Sequence, residues 1–448
     1  MKNLYILFVA LFVFTFSNAQ IIDFTDPEFK SILVNVPVVD TNGDGIGDVD
    51  ADTNNDGEIQ IVEAETVINL LIHSFTITSL DGIEYFINLE VLSCHNNNLT
   101  VIDISNNTNL IYLDCSTNNL ISLDVSNNNN LQELYCDEND IESLDVSNNN
   151  NIEILNCSKN QLTNLQIGNN TALKNLYCDW NYLTNLDITQ APNLEYFYCY
   201  LNDLTSLDVT QNPNLIWFTC EGNDLTELNV SQNPNIELFD CSNNQITTLD
   251  VSQVQSLREL YCSSNQLTSL ISQNPNLEFI TCSYNLLSSL NVTQNPSLIT
   301  LFCKNNLLTN LETQNPNLET LRCYENQLTN LDVSQDPSLI SLNCELNFIE
   351  SLDVSNNPSL ISLNCRLNFI ESLDVSNNPE LVWLIVVYNQ LTELNLQNGN
   401  NVNLNKMYSV GNENLLCIQV DDVDYANAQD CGGNIEWCKD DWSEYSEE

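Results

Sequence analysis

From Leu89 to about Asn400 the apolar positions recur with a nearly fixed step. Written out, the unit is L-x-x-L-x-C-x-x-N-x-L-T-x-L-D-V-S-x-N-P-x, in about fifteen copies. Cysteines at 94, 115, 136, 157, 178, 199, 220, 241, 262, 282, 303, 323, 344 and 365 mark the step, which is 21 residues and, on two occasions, 20. Around each cysteine, in stretches such as "LYCDEN" and "LNCELN", apolar and variable residues alternate, the period of a half-buried strand. The asparagines from Asn97, Asn118 and Asn139 through Asn389 follow each strand, where a side-chain amide can satisfy turn backbone. Pairs such as Asn212-Pro213 mark the turn into the next unit. One weaker unit precedes the series, with Ile72 in the cysteine slot. No single unit can bury its own leucines, so the units must stack.

The unit resembles the leucine-rich repeat, and most closely its nested 21-residue bacterial form, in which "LxxLxC" alternates with "LxxLDVSxNPx". The resemblance implies a repeat solenoid with a parallel β-sheet on the concave face, little or no α-helix in the repeats, and capped ends. It divides the chain into a leader (1–19), an N-terminal cap (20–66), a solenoid of about 15–16 repeats (67–408) and a C-terminal cap with an acidic tail (409–448). The leader reading rests on Lys2, the apolar run Leu4 to Phe16, and small Ser17 and Ala19 before Gln20. It implies export, to the medium or the bacterial surface.

Seventeen cysteines in an exported chain raise the question of disulfides. The fourteen in the repeats occupy a slot that also accepts Ile72 and Val386. Buried free thiols acting as small apolar fillers are expected there, rather than disulfides between rungs, whose torsion in-register side chains rarely offer, or metal ligands. Beyond the repeats, "CIQVDD" resembles the C-terminal cap of secreted bacterial leucine-rich repeat proteins. That resemblance implies a cap disulfide of Cys417 with Cys431 or Cys438, and Cys417–Cys431 is taken as the expected pair.

With 61 acidic and 10 basic residues the formal charge is −51, and removing Lys2 with the leader leaves 9 − 61 = −52. Such a field repels nucleic acid and anionic membrane, and suits cations, cationic partners or neutral ligands. A run of acids lies between the leader and the first unit. Asp52 to Glu63 fits the calcium loop D-x-[DN]-x-[DN]-G-x5-E: Asp52, Asn54 and Asp56 at positions 1, 3 and 5, Gly57 at the turn, the Glu58 carbonyl at 7, and Glu63 at 12. A partial loop precedes it, with Asp40, Asn42, Asp44 and Asp48. A structural Ca2+ ion holding the cap over the open end of the stack is the expected cofactor; a solvated acidic linker is the competing reading.

Strand positions facing away from the core are the variable ones, and there the aromatic residues gather. Tyr177, Trp180, Tyr196, Tyr198, Tyr200 and Trp217 fall in three consecutive units, with Tyr135 upstream and Glu221 beside them. Two readings stay open: an interaction surface for a protein or polysaccharide, or rings chosen to pack along the ladder. The aspartates of "LDVS", from Asp103 and Asp124 to Asp353 and Asp374, form another column, suited to turn N–H groups or to a stripe of cations. Residues 338–358 and 359–379 are identical except that Glu345 becomes Arg366, on the outward face, where the two would pair. For catalysis the chain offers His73 and His95 without a nucleophile motif, and acids such as Asp137 and Glu138 on an open surface. The expected protein is a non-enzymatic, monomeric binding module without a membrane span, or alternatively an acidic structural rod without a specific ligand.

Overall fold

The computed structural model describes residues 20–432 and 436–448, so the leader reading of 1–19 lies outside the described residues. The chain divides into two compact units between Leu131 and Gln132.

The first unit begins with a helix, Pro27–Asn35. Proline sits in its first turn, where no N–H is needed, and the Asp26 carboxylate caps it by accepting from the N–H of Glu28. The other Asp26 oxygen accepts from the backbone and hydroxyl of Thr78, at 2.6 and 2.8 Å, which ties the helix start to a turn 52 residues later. Phe29, Ile32 and Leu33 face the core. Three parallel in-register strands follow, Asn69–Leu71, Val91–Ser93 and Tyr112–Asp114. The segment around Val39 bridges the first of these antiparallel: Leu71 N–H donates to the Val38 carbonyl at 2.7 Å, and Asp40 N–H to Asn69. The cap thereby covers the open edge of the first strand, which would otherwise present unpaired backbone.

The second unit is one parallel ladder of three-residue strands, from Glu133–Tyr135 through Tyr196–Tyr198 and Ser341–Asn343 to Glu436–Cys438. In each strand the central residue, Leu or Phe apart from Ile280, Met407 and Trp437, is buried and its two neighbours point away from the core, the alternation the unit predicts. The ladder runs past residue 408, because Glu436–Cys438 pairs with Lys406–Tyr408 and carries Trp437 into the core. A second, interrupted ladder, which the unit pattern does not announce, forms along the "LDVS" side. Its longest part joins Ser372–Asp374, Glu393–Asn395, Cys417–Gln419 and Glu444–Ser446. The expected acidic tail is thus partly strand, closing the end of both ladders.

Two buried asparagine columns hold the rungs of this unit. Asn202 donates to the carbonyls of Cys178 (3.0 Å) and Cys199 (3.2 Å), and its Oδ1 accepts from Leu183 N–H at 2.9 Å. Asn223, Asn244 and Asn347 repeat the pattern. The "NP" asparagines form a second column: Asn212 donates to Ile188 and Ala191 at 3.0 and 2.8 Å, and Asn233 to Val209 and Asn212. Sequence assigned them to a turn, and they prove to be fully buried cross-rung donors.

The ladder cysteines have no exposed surface. Cys94 and the series from Cys157 to Cys365 are reduced thiols. Burial pushes their pKa up, to about 12 for Cys282 and Cys344, so thiolate chemistry is suppressed.

Candidate ligand-binding face

The outward strand positions of the second unit carry two pairs of aromatic rings on three consecutive strands. Tyr177 and Tyr198 stand on paired strands with ring centroids 5.1 Å apart. Tyr196 meets Trp217 edge-on at 5.7 Å. On the core side of the sheet the strands of Tyr196 and Trp217 and the strand after them carry Phe197, Phe218 and Phe239 rather than leucine, and these rings stack at 5.5 and 5.3 Å. The sheet backbone lies between the two sets of rings, and the in-register pairing of the strands sets the spacing of both. Trp217 and Trp180 are 42% and 54% exposed, so a large apolar area faces solvent. Trp180 has a left-handed backbone (φ 52°), as do its counterparts Leu201 and Tyr284 two residues after their cysteines. The indole thus lies in the turn after the strand rather than on the strand itself. Tyr135 stays apart from the cluster: Asn156 stands between its strand and that of Tyr177, and its hydroxyl donates to Glu133 at 3.0 Å.

Acids border the rings. Asp179 is buried and accepts from Ser158 Oγ at 2.7 Å. Burial first, and then the Asp179 charge, push Tyr200 up to about 12, which keeps its phenol protonated. Burial also raises Asp240. Glu221 accepts from the Asn243 amide at 2.9 Å. The expected pair across the duplicated rungs forms, with Arg366 3.2 Å from Glu345.

A second cluster lies farther along the same face. Tyr261 and Phe279 are 5.0 Å apart, and Phe279 meets Phe302 at 5.6 Å. Arg322 lies over Phe302, and Lys304 between Tyr284 and Tyr324. Sequence columns contain most of these residues but not their association, because Phe279 stands in the first strand position and Tyr261 and Phe302 in the third.

The "LDVS" aspartates serve the backbone. Asp187 and Asp208 each accept from the N–H (2.9 Å) and hydroxyl (2.7 Å) of the threonine two residues on. The hydroxyl first and the N–H second hold both carboxyls below the usual range. Where the second ladder is interrupted, Asp187, Asp208 and Glu227 line an open groove of about 820 Å³. It lies on the opposite edge from the aromatic rings.

In the N-terminal cap, Gly57 (φ +84°) makes the sharp turn that a calcium loop requires. The side chains around it bond to one another. Asp52 accepts from the N–H of Asp56 and Gly57, Asp56 from the Gln60 amide, and Glu63 from Thr53, Asn54 and Gln60. Asn54 donates to Gln60, and Glu58 pairs with Lys30 at 2.5 Å. Asp40 likewise accepts from the N–H groups of Asn42, Gly43 and Gly45, and Asp48 from Thr41 and Asn42; Asp44 accepts from Ile46. Among the described residues no three His, Cys, Asp or Glu side chains converge as a metal set. The backbone of the second loop thus suits a cation, while its carboxylates are engaged with internal donors.

The C-terminal disulfide differs from expectation. It joins Cys431 to Cys438, whose Cα atoms are 4.8 Å apart, and Cys417 is an exposed free thiol. The reason is register. Cys417 begins a strand of the "LDVS"-side ladder and Cys438 ends one of the cysteine-side ladder, with the core between them.

No protein-family profile and no curated protein matches the chain. Solved structures do. Over 90% of its length the chain is similar to the functional domain of InlJ from Listeria monocytogenes, a structure whose description includes a cysteine ladder, at 30% identity and a TM-score of 0.68, covering 83% of that chain. It is similar to YopM, a leucine-rich effector protein of Yersinia pestis, at 29% identity and a TM-score of 0.52, over 64% of this chain and 79% of that one. The leucine-rich repeat protein LIC12759 of Leptospira interrogans shares the fold at 23% identity and a TM-score of 0.56, over 69% and 92% of the two chains. A 21-residue unit, a parallel strand per rung, a buried cysteine column and this similarity place the chain in the leucine-rich repeat family.

Proposed function

We propose that the chain is an exported, non-enzymatic binding protein that recognises a protein or polysaccharide through the outward strand face of its second unit. The observation that carries this reading is the group of half-buried Tyr177, Tyr196 and Tyr198 with exposed Trp217 on the outward strand face. Together with exposed Trp180 they leave a partly open apolar surface rimmed by hydrogen-bonding acids. Export is supported by the leader-like segment. Changing Trp180, Tyr198 and Trp217 together to alanine should abolish retention on protein and glycan arrays without altering the fold. An unchanged binding pattern favours the acidic structural rod instead.

Calcium in the cap is the second part of the proposal. Asp52, Asn54, Asp56, the Glu58 carbonyl and Glu63 would hold it, after the Gln60 amide on Asp56 and the Thr53 hydroxyl on Glu63 give way. Their spacing and the Gly57 turn support it. The ion would supply a fixed charge that pins the cap against the first strand. Calcium should raise the melting temperature of the first unit and chelator should reverse this; a melting curve indifferent to both removes the site.

A further inference from the structure

The cations of this chain are scarce, and most are spoken for. Lys30, Lys159, Lys174, Arg258, Arg366 and Lys406 each face a carboxylate. Lys439 turns back onto the Ser443 carbonyl and the Tyr445 ring. Lys304 and Arg322 do neither. They stand on the outward face around adjacent strands, Thr300–Phe302 and Thr320–Arg322, and rest on rings: Lys304 Nζ is 4.9 Å from Tyr284 and 5.2 Å from Tyr324, and Arg322 is 4.7 Å from Phe302. Four carboxylates of neighbouring rungs already have other donors. Tyr261 holds Glu259 (2.7 Å), Arg258 holds Glu278, Asn305 holds Glu325 (2.5 Å) and Arg366 holds Glu345.

We propose that this patch binds a carboxylated sugar, a uronic-acid unit within a polysaccharide. The occupant follows from three properties. In a chain of net charge −51, two adjacent cations without carboxylates are a local complement to an isolated anion. The same overall charge opposes a dense polyanion such as nucleic acid or a sulfated chain, while at physiological salt a single carboxylate a few ångströms away feels chiefly the local pair. The apolar part of the patch is the half-buried row Tyr261, Phe279 and Phe302 on three neighbouring strands. Their ring contacts are tilted and edge-on rather than enclosing a pocket. Such a row suits the C–H face of a sugar ring, whereas a peptide side chain is gripped by a concave pocket. A glycan laid across the strands would set one ring over the row and its carboxylate against Arg322 and Lys304, with the Tyr284 and Tyr324 hydroxyls beside it. The patch uses other residues than the Tyr177–Trp217 cluster and does not rest on that reading.

The test is isothermal titration of the full chain at 0.15 M salt with a xylose oligomer carrying one glucuronic-acid unit and with the neutral xylose oligomer of equal length. The acidic oligomer should bind at least tenfold more tightly. Lys304→Gln with Arg322→Gln should remove that preference while leaving the melting temperature unchanged, since both side chains lie on the surface. Lys304→Arg with Arg322→Lys should keep most of it, and Trp217→Ala should not touch it. Equal affinity for the two oligomers, or full retention by the double glutamine variant, overturns the proposal. So does binding of a glutamate-containing peptide with no binding of the uronate, which would make this a peptide site.

Discussion

The interior of the second unit and its outward strand face are built by alternating residues of the same rungs, yet they obey opposite rules. Inside, position after position repeats: a central Leu or Phe, a cysteine, and two asparagines whose amides reach the rung before. Outside, the two residues flanking each central one vary freely, and two aromatic clusters of opposite charge setting occupy one uninterrupted ladder. A rung contacts only its neighbours, so an interior residue is constrained by identical partners on both sides. A face residue has solvent on one side and tolerates exchange. The duplicated rungs show both rules: every interior bond is copied, and the single change turns a face glutamate into the arginine that pairs with it.

The largest break in this comparison should come from the first asparagine column. Asn202→Ala removes three hydrogen bonds and leaves the Leu183 N–H and the Cys178 and Cys199 carbonyls buried without that partner. At roughly 1 kcal/mol or more for each, a loss of about 3–5 kcal/mol is expected in urea unfolding. A loss under about 1 kcal/mol would mean that the strands alone hold the rungs. Asn212→Ala in the second column should cost less, about 2 kcal/mol, because that amide donates twice while its Oδ1 lacks a partner. Equal losses at the two positions would erase the distinction between the columns.

The cysteine column sharpens the same contrast at a smaller scale. Cys199→Ala trims one buried sulfur and should cost about 1–2 kcal/mol, in the range of removing a small apolar group. Reductant should leave the cooperative melting of the rungs around Cys199 unchanged, since that thiol is free. A drop on reduction would revive disulfides between rungs.

How far the chain could be read in advance follows from the same division. Interior positions repeat, so strand, cysteine slot and the Asn202 column were legible from period alone. The second column was hidden by its proline, which marks a turn whether or not the preceding asparagine is buried. The aromatic cluster at Tyr177 to Trp217 was visible because its rings share columns, whereas Tyr261, Phe279 and Phe302 come from different columns and meet only across the ladder. The Cys431–Cys438 bond was beyond reach because Cys417 lies in the other ladder, which the period does not announce.

The smallest expected effect tests the interior rule where the sequence itself departs from it. Asp336 occupies a slot of the second asparagine column and is completely buried. It follows a shortened rung, and accepts from Thr313 Oγ1 at 2.6 Å and Asn315 N–H at 2.7 Å. After the other shortened rung the same slot holds Asn295, which accepts from Ser272 Oγ at 3.0 Å and donates to the Asn274 carbonyl. Burial raises the Asp336 pKa above its ordinary value, and the hydrogen bonds only partly offset this. A raised carboxylate binds its proton more tightly in the folded state, so its contribution is fully present below the ordinary carboxylate pKa and is lost as pH rises through the folded one. The "LDVS" aspartates with lowered pKa have the opposite sign and fail in acid, so only a difference between variants isolates Asp336. Asp336→Asn reproduces the Asn295 arrangement without a buried charge. It should melt higher than the parent chain at neutral pH, with the gap closing as pH falls toward the ordinary carboxylate range. A gap that is reversed, or that does not depend on pH, would show that the charge at Asp336 is used by the fold rather than tolerated by it.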